Sequence, residues 1–232
     1  GLIDSKIASV INLETLSAIG IGETIYFVFI WVFIFLAYGT TPLVSSLNTK
    51  NEIKKLNYFI KFGRSVSILL GLGSFLILYV SSGYLISTFQ PTQNIQLLSS
   101  DYLVFRCIGL PFYLVNMHST AVLRGLKYAK ITFYSALIVS ISNIFFSLFF
   151  GLFLGFGAGG IGFASSLAFF CASIYSTFIL KKQLSDIPST EEQIGKPSLR
   201  KKFFSIGTYI LIRSLFLTLF MAYLRNRASL MS

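Results

Sequence analysis

Four ionisable side chains sit in stretches otherwise nearly free of charge: Asp4, Glu23, Arg106 and Arg213. A charge at the centre of a membrane-crossing helix costs about 2.5–3.5 kcal/mol on insertion scales, so each needs a partner or a purpose. Asp4 lies among Leu2, Ile3, Ile7 and Ala8. A carboxylate in such a setting can exchange a proton or hold a cation, which is what a proton- or sodium-coupled step requires. The alternative is an aspartate near a helix end, paired with Lys6 or solvated. Glu23 reads as the outer end of a span, reaching water. Arg106 reads as one turn inside a span, where a long side chain can snorkel to the interface. Arg213 is near the middle of the last apolar segment and is expected to face a bundle interior; Arg213, Arg106 and Tyr113 are the polar candidates for a cavity or bundle lining. Asn143 and Ser147 are four residues apart and share a helix face, with Ser140 three before. Such a stripe either lines a cavity or holds helices together. Enzyme signatures are absent. The single histidine, His118, lies beside Asn116 and Ser119 and reads as a packing residue rather than a proton relay. Cys107 and Cys171 are too sparse for a zinc site and read as small packing residues. No catalytic residue, metal site or cofactor is expected.

The elements that must carry these residues follow from composition. Apolar residues make up 54% of the 232 residues and charged residues 12%, with a mean hydropathy of +0.76. Soluble domains carry about 25% charge, so a water-soluble domain is excluded, and a disordered chain with it. Three stretches, 24–49, 65–100 and 131–180, hold no Asp, Glu, Lys or Arg. A bilayer core needs roughly 20 apolar residues in a helix. The third stretch must therefore fold back, and Gly157, Gly159 and Gly160 mark the expected turn. The apolar runs are continuous, unlike the alternating segments of a β-barrel. The expected fold is an all-α integral membrane protein, a polytopic helix bundle with spans at 24–47, 66–86, 102–123, 131–156, 161–180 and 203–224. Residues 1–11 read as the last third of an earlier helix; with Gly first and no initiator Met, the chain reads as a fragment with its first helix truncated. Pro42 and Pro111 fall inside spans, where they loosen helix hydrogen bonds and act as hinges. Gly151, Gly155 and Gly159, like Ala121 and Gly125, have the spacing of close helix packing.

The net charge of +11 is distributed by sidedness. Fourteen of the 19 basic residues fall in or beside three loops, around Lys50–Arg64, Arg124–Lys130 and Lys181–Lys202, while the alternate connections have none. That alternation puts the basic loops on the cytoplasmic side. It also accounts for the charge without nucleic acid; anionic lipid headgroups are the natural contact. Residues 181–202, with Asp186, Glu191, Glu192, Pro188 and Pro197, read as a polar linker between two bundles.

The run 102–168 resembles the middle of the N-terminal lobe of multidrug and toxic compound extrusion (MATE) transporters. The matching features are Arg106 with Gly109, Leu110 and Pro111, then Leu123, Arg124 and Gly125, then Ser142, Asn143 and Ile144, and last the hairpin FGAGGIGFA at 156–164. Upstream, LIDSKIAS (2–9), LSAIGIG (16–22) and GTTPLVS (39–45) fit the first two helices. LIRS (211–214) is closest to the DNA-damage-inducible branch, which includes plastid-type members. The resemblance implies twelve helices in two six-helix lobes. Residues 1–180 would then be the N-terminal lobe, 181–202 a cytoplasmic linker, and 203–232 the first helix of the second lobe. It implies an ion-coupling site in which Asp4 matches the family aspartate of helix one and Asn143 the asparagine of helix five. Ser147 stands where the family has an aspartate, which bears on the coupling chemistry and its stoichiometry.

The expected activity is secondary active export of organic, often cationic, solutes or xenobiotics by antiport against H+ or Na+, with alternating access and no other cofactor. The expected partners are the organic substrate, membrane lipids and the second lobe of the full-length chain. The expected location is the plasma membrane or an organelle membrane, a plastid included. A lipid-linked oligosaccharide flippase of the same superfamily and a non-transport polytopic protein are the alternatives. A seven-helix receptor is disfavoured, because the basic loops put the N-terminus inside.

Overall fold

The computed structural model describes residues 2–184, 198–209, 212 and 216. Arg213, the linker residues Asp186, Pro188, Glu191, Glu192 and Pro197, and most of the expected last span lie outside the described residues. Among the described residues every regular element is a helix. They are α1 (Leu2–Ile11), α2 (Leu13–Val32), α3 (Phe35–Thr49), α4 (Ile53–Ser87), α5 (Gln93–Cys107), α6 (Leu110–Gly125), α7 (Ala129–Phe146) with a π-helical continuation (Ser147–Phe153), and α8 (Gly157–Gln183). Residues 198–209 are helical too. By length and apolarity, Leu13–Thr49, α4, Ala129–Phe153 and α8 can each cross a bilayer, and α5 and α6, bent by 44° at their break, are long and apolar enough to do so as a pair.

Several boundaries differ from the sequence expectation. The second span begins at Leu13, not at 24, because Asn12 caps it: the Thr15 N–H donates to the Asn12 side chain at 2.7 Å. Residues 12–22, read from sequence as a connection, are thus a cap and the first half of α2. Glu23 is consequently not at a span end. This span breaks at Phe33 and Ile34, where tightened turns replace the α pattern (Phe33 N–H to Ile30 C=O at 2.9 Å). Pro42 lies within the continuous α3 and does not mark that break. At Pro111 the geometry is different: the residue sits in the first turn of α6, directly after the 44° bend.

The bend exposes carbonyl groups that need partners in an apolar medium. Ser166 of α8 supplies them, its hydroxyl reaching the Phe105 carbonyl at 2.6 Å and the Arg106 carbonyl at 3.1 Å. Close approach at that point needs Gly109, where a Cβ would come within 2.7 Å of the Ser166 hydroxyl.

The α7–α8 hairpin also differs from expectation. Its turn is at residues 154–156, and the positive φ angles belong to Gly155 (+70°) and Gly157 (+54°). Gly159 and Gly160 are already helical residues of α8. Their role is packing: a Cβ on Gly160 would sit 2.7 Å from the Phe150 carbonyl oxygen.

The main apolar core lies where α3, the start of α4, the end of α6 and the end of α8 meet, around Leu36, Val44, Phe59, Leu123 and Leu180. Phe203 fills this core from the helical residues 198–209, its ring 5.5 Å from that of Phe59 and 5.8 Å from that of Phe35. Within the range 181–202 read from sequence as a linker, α8 continues to Gln183 and residues 198–202 are helical.

Candidate functional site

At the opposite end from that core, α1 packs against α2, α8 and the π-helical segment. Asp4 projects into this junction and is 2% exposed. The Ser165 hydroxyl of α8 donates to Asp4 Oδ2 at 3.2 Å. Asn143 Nδ2 of α7 donates to Ser165 Oγ at 2.6 Å, and the Ser147 hydroxyl donates to Asn143 Oδ1 at 3.4 Å. A chain of donors thus points from α7 through α8 toward one carboxylate on α1.

The sequence-expected trio is brought to one place: Ser147 bonds Asn143 directly, and Asn143 reaches Asp4 through a fourth residue. Ser165 stands between Asp4 and Asn143, and sequence reasoning missed it. The signal was a stripe of mostly small residues, Ala158, Ile161, Ser165, Ala168 and Ala172, at three- and four-residue spacing on α8, all of them buried. Ser140 is exposed and does not join the chain. Ser147 opens the π-helical turn. π-helical turns within α-helices recur at functional sites.

Beside this chain is a second buried constellation. Tyr102, fully buried, donates to Glu23 Oε1 at 3.3 Å and lies in the same cluster as Ile7 and Ala8 of α1. One turn further along α5 is Arg106. It does not snorkel: it is 7% exposed, with its guanidinium 4.5 Å from the Tyr26 ring centroid and 5.4 Å from that of Phe169. The bent α5–α6 span turns its side chain inward against α2 and α8, and the aromatic faces take the place of water. Among the described residues, Arg106 Nε and Nη1 and the Tyr26 hydroxyl have no hydrogen-bond partner. Tyr113 joins through Phe169, its ring edge-on at 4.8 Å. Asp4, Tyr26 and Tyr102 are all within electrostatic reach of Arg106.

His118 lies elsewhere, under α3 and α4. Its ring is fully buried, with Nε2 at 3.1 Å from the Ile60 carbonyl and Nδ1 at 3.4 Å from the Thr40 hydroxyl. Cys107 and Cys171 are free thiols on different helices. No group of three His, Cys, Asp or Glu side chains capable of holding a metal occurs among the described residues.

Fold and site together define a multi-pass helical membrane protein with a buried polar junction between the first, fifth and sixth segments of one lobe. The MatE family model matches residues 1–149 of the chain, and the chain belongs to that family. A curated relative, the lipid II flippase MurJ of Thermosipho africanus (strain TCF52B), is 28% identical over 159 residues, 64% of this chain and 33% of the flippase. The crystal structure of the Vibrio cholerae MATE transporter VcmN in its bent form superposes with a TM-score of 0.87 at 14% identity, over 100% of this chain and 52% of VcmN. A crystal structure of MATE in the bent conformation gives 0.84 at 19% identity, over 96% and 50%. At these identities the structural likeness shows the fold. The chain spans about half the length of those solved proteins and about a third of the flippase.

Proposed function

We propose that this chain forms the N-terminal lobe of a secondary transporter that exports organic, often cationic, solutes or xenobiotics by antiport against protons or sodium ions. The observation that carries the reading is the burial of Asp4 at the end of the Asn143–Ser165 donor chain. Proton or cation uptake at Asp4 changes the charge at the junction of α1, α8 and the π-helical turn. The two charge states then favour different arrangements of the first helix, and an ion gradient biases alternating access. The coupling ion is H+ or Na+, and no residue is assigned a covalent step. Its setting is the plasma membrane or an organelle membrane, a plastid included, and its partners are the organic substrate and the second lobe.

A second reading is the flippase of lipid-linked oligosaccharides. The buried guanidinium of Arg106 favours it, since two of its nitrogens have hydrogen-bonding capacity for an anionic substrate group. Efflux of a fluorescent organic cation from proteoliposomes holding the full-length protein, with an imposed pH or sodium gradient, separates the two. Antiport predicts gradient-dependent efflux that Asp4→Asn abolishes while expression and folding persist. Wild-type rates in Asp4→Asn sink the coupling role.

A further inference from the structure

We infer that a groove on the outer face of the bundle, between α4, α6 and α8, is a binding site for one anionic phospholipid of the cytoplasmic leaflet. The groove has a volume of about 740 Å³ and is lined by apolar side chains, including Leu72, Phe75, Phe112 and Ile174. Its charge is confined to one end, at Arg64 and Lys181. A smaller adjoining hollow of about 280 Å³ shares Arg64, Thr177 and Lys181, and adds Lys61, Asn57 and Ser119. Neither hollow has an acidic lining residue, and no ion pair to Lys61, Arg64 or Lys181 occurs among the described residues.

The dimensions fit a lipid standing in one leaflet. On α4 the groove runs from Arg64 to Phe75, and on the antiparallel α8 from Lys181 to Phe170, eleven residues each way. At 1.5 Å per residue both spans are about 16 Å long, roughly half of a 30 Å hydrocarbon core. The cationic end therefore sits at headgroup level when the apolar end reaches the bilayer midplane. The positive-inside distribution puts that end on the cytoplasmic side, where anionic lipids concentrate. Thr177, Ser119 and Asn57 add hydrogen-bonding groups at the level of a phosphate and glycerol. The α5–α6 bend helps make the groove, because Ile108, Pro111 and Phe112 line its deep end.

The inference does not depend on ion coupling, and a transport-dead Asp4→Asn protein is expected to keep the lipid preference. The test uses the full-length protein carrying Ile174→Trp in bilayers of phosphatidylcholine. The extra emission over the parent is titrated with mid-chain-brominated phosphatidylglycerol or brominated phosphatidylcholine. Each basic residue near the surface is worth a factor of roughly five, so two of them give a preference for the anionic lipid of roughly 25-fold. That preference should fall to about twofold or less in Arg64→Gln/Lys181→Gln and survive in Arg64→Lys/Lys181→Arg. Neutralising Lys50 and Lys127, away from the groove, should leave it in place. If the double neutral variant fails to fold, the wild-type preference should still shrink as salt is raised. Equal quenching by the two lipids overturns the site, as does a preference that survives both neutralisation and salt. Quenching by neither lipid means that protein covers the groove, and overturns it equally.

Discussion

His118 and Asp4 are both buried polar side chains held between helices, yet their surroundings differ in completeness. His118 is saturated, with both ring nitrogens engaged by α3 and α4. Gly63 leaves the space its ring fills, since a Cβ there would overlap the imidazole. The imidazole joins its own helix α6 to α3 and α4 under the apolar core. The Asp4 junction links three helices by side chain to side chain bonds, and beside it Arg106 and Tyr26 keep unused hydrogen-bonding atoms. A saturated polar contact is costly to break and has one arrangement. An unsaturated one next to a titratable carboxylate can exchange partners at little cost. Burial of a polar group therefore does not separate the two sites; the unused hydrogen-bonding atoms of Arg106 and Tyr26 beside Asp4 do.

That contrast predicts opposite consequences for two substitutions, and this is the largest effect expected. His118→Leu strands the Thr40 hydroxyl and removes two hydrogen bonds, at a cost of about 2–3 kcal/mol. Its signature is a lowered unfolding temperature in detergent with unchanged efflux per folded molecule. Asp4→Asn should do the reverse, keeping thermal stability while abolishing gradient-driven efflux. A stable His118→Leu protein that has lost transport would break the distinction.

A second contrast sits within the hairpin. Gly160→Ala drives a methyl group against the Phe150 backbone carbonyl, which cannot turn away, and should cost about 2–3 kcal/mol. Gly159→Ala meets only the edge of the Phe105 ring at 3.3 Å, and that ring is 42% exposed and free to yield. It should change stability by less than about 1 kcal/mol. Thermal melts of the two purified variants check this, and equal destabilisation would return both glycines to a common role.

Much of this was legible in the sequence because charge and apolarity act over whole segments. The charge-free runs gave the helical class, and basic-loop alternation gave an expected sidedness. Asp4, Asn143 and Ser147 could be singled out because each interrupts an apolar stretch. What stayed hidden depends on local geometry. The break at Phe33 and Ile34 has no proline or glycine to announce it. Gly155 was outside the expected turn because positive φ is a backbone property that four closely spaced glycines share in principle. Ser165 sits among several serines of α8, and only the buried stripe around it tells which one faces Asp4. Arg106 could be placed one turn inside a span when that span was counted from 102; α5 in fact runs from Gln93 to Cys107, so the arginine lies in its last turn beside the bend, where Tyr26 and Phe169 enclose it.

The smallest effects sharpen the order of the donor chain. Ser165→Ala deletes the bond to Asp4 Oδ2 and leaves Asn143 Nδ2 without its 2.6 Å acceptor. A hydrogen bond to a charged group is worth about 1.5–3 kcal/mol, so efflux should fall by roughly tenfold or more. Ser147→Ala removes only a 3.4 Å contact to Asn143, longer than the usual hydroxyl bond of about 2.7–2.8 Å. Its expected effect on efflux is less than about threefold, below 1 kcal/mol on the same scale. Ser147 occupies the position where the family resemblance implies an aspartate, so the measurement is informative in either direction. A small effect means that the Ser147 hydroxyl is not needed as a ligand of the ion. A loss in Ser147→Ala as deep as in Ser165→Ala would mean that the Ser147 hydroxyl ligates the ion directly, and that the π-helical turn moves toward Asp4 when the ion is bound.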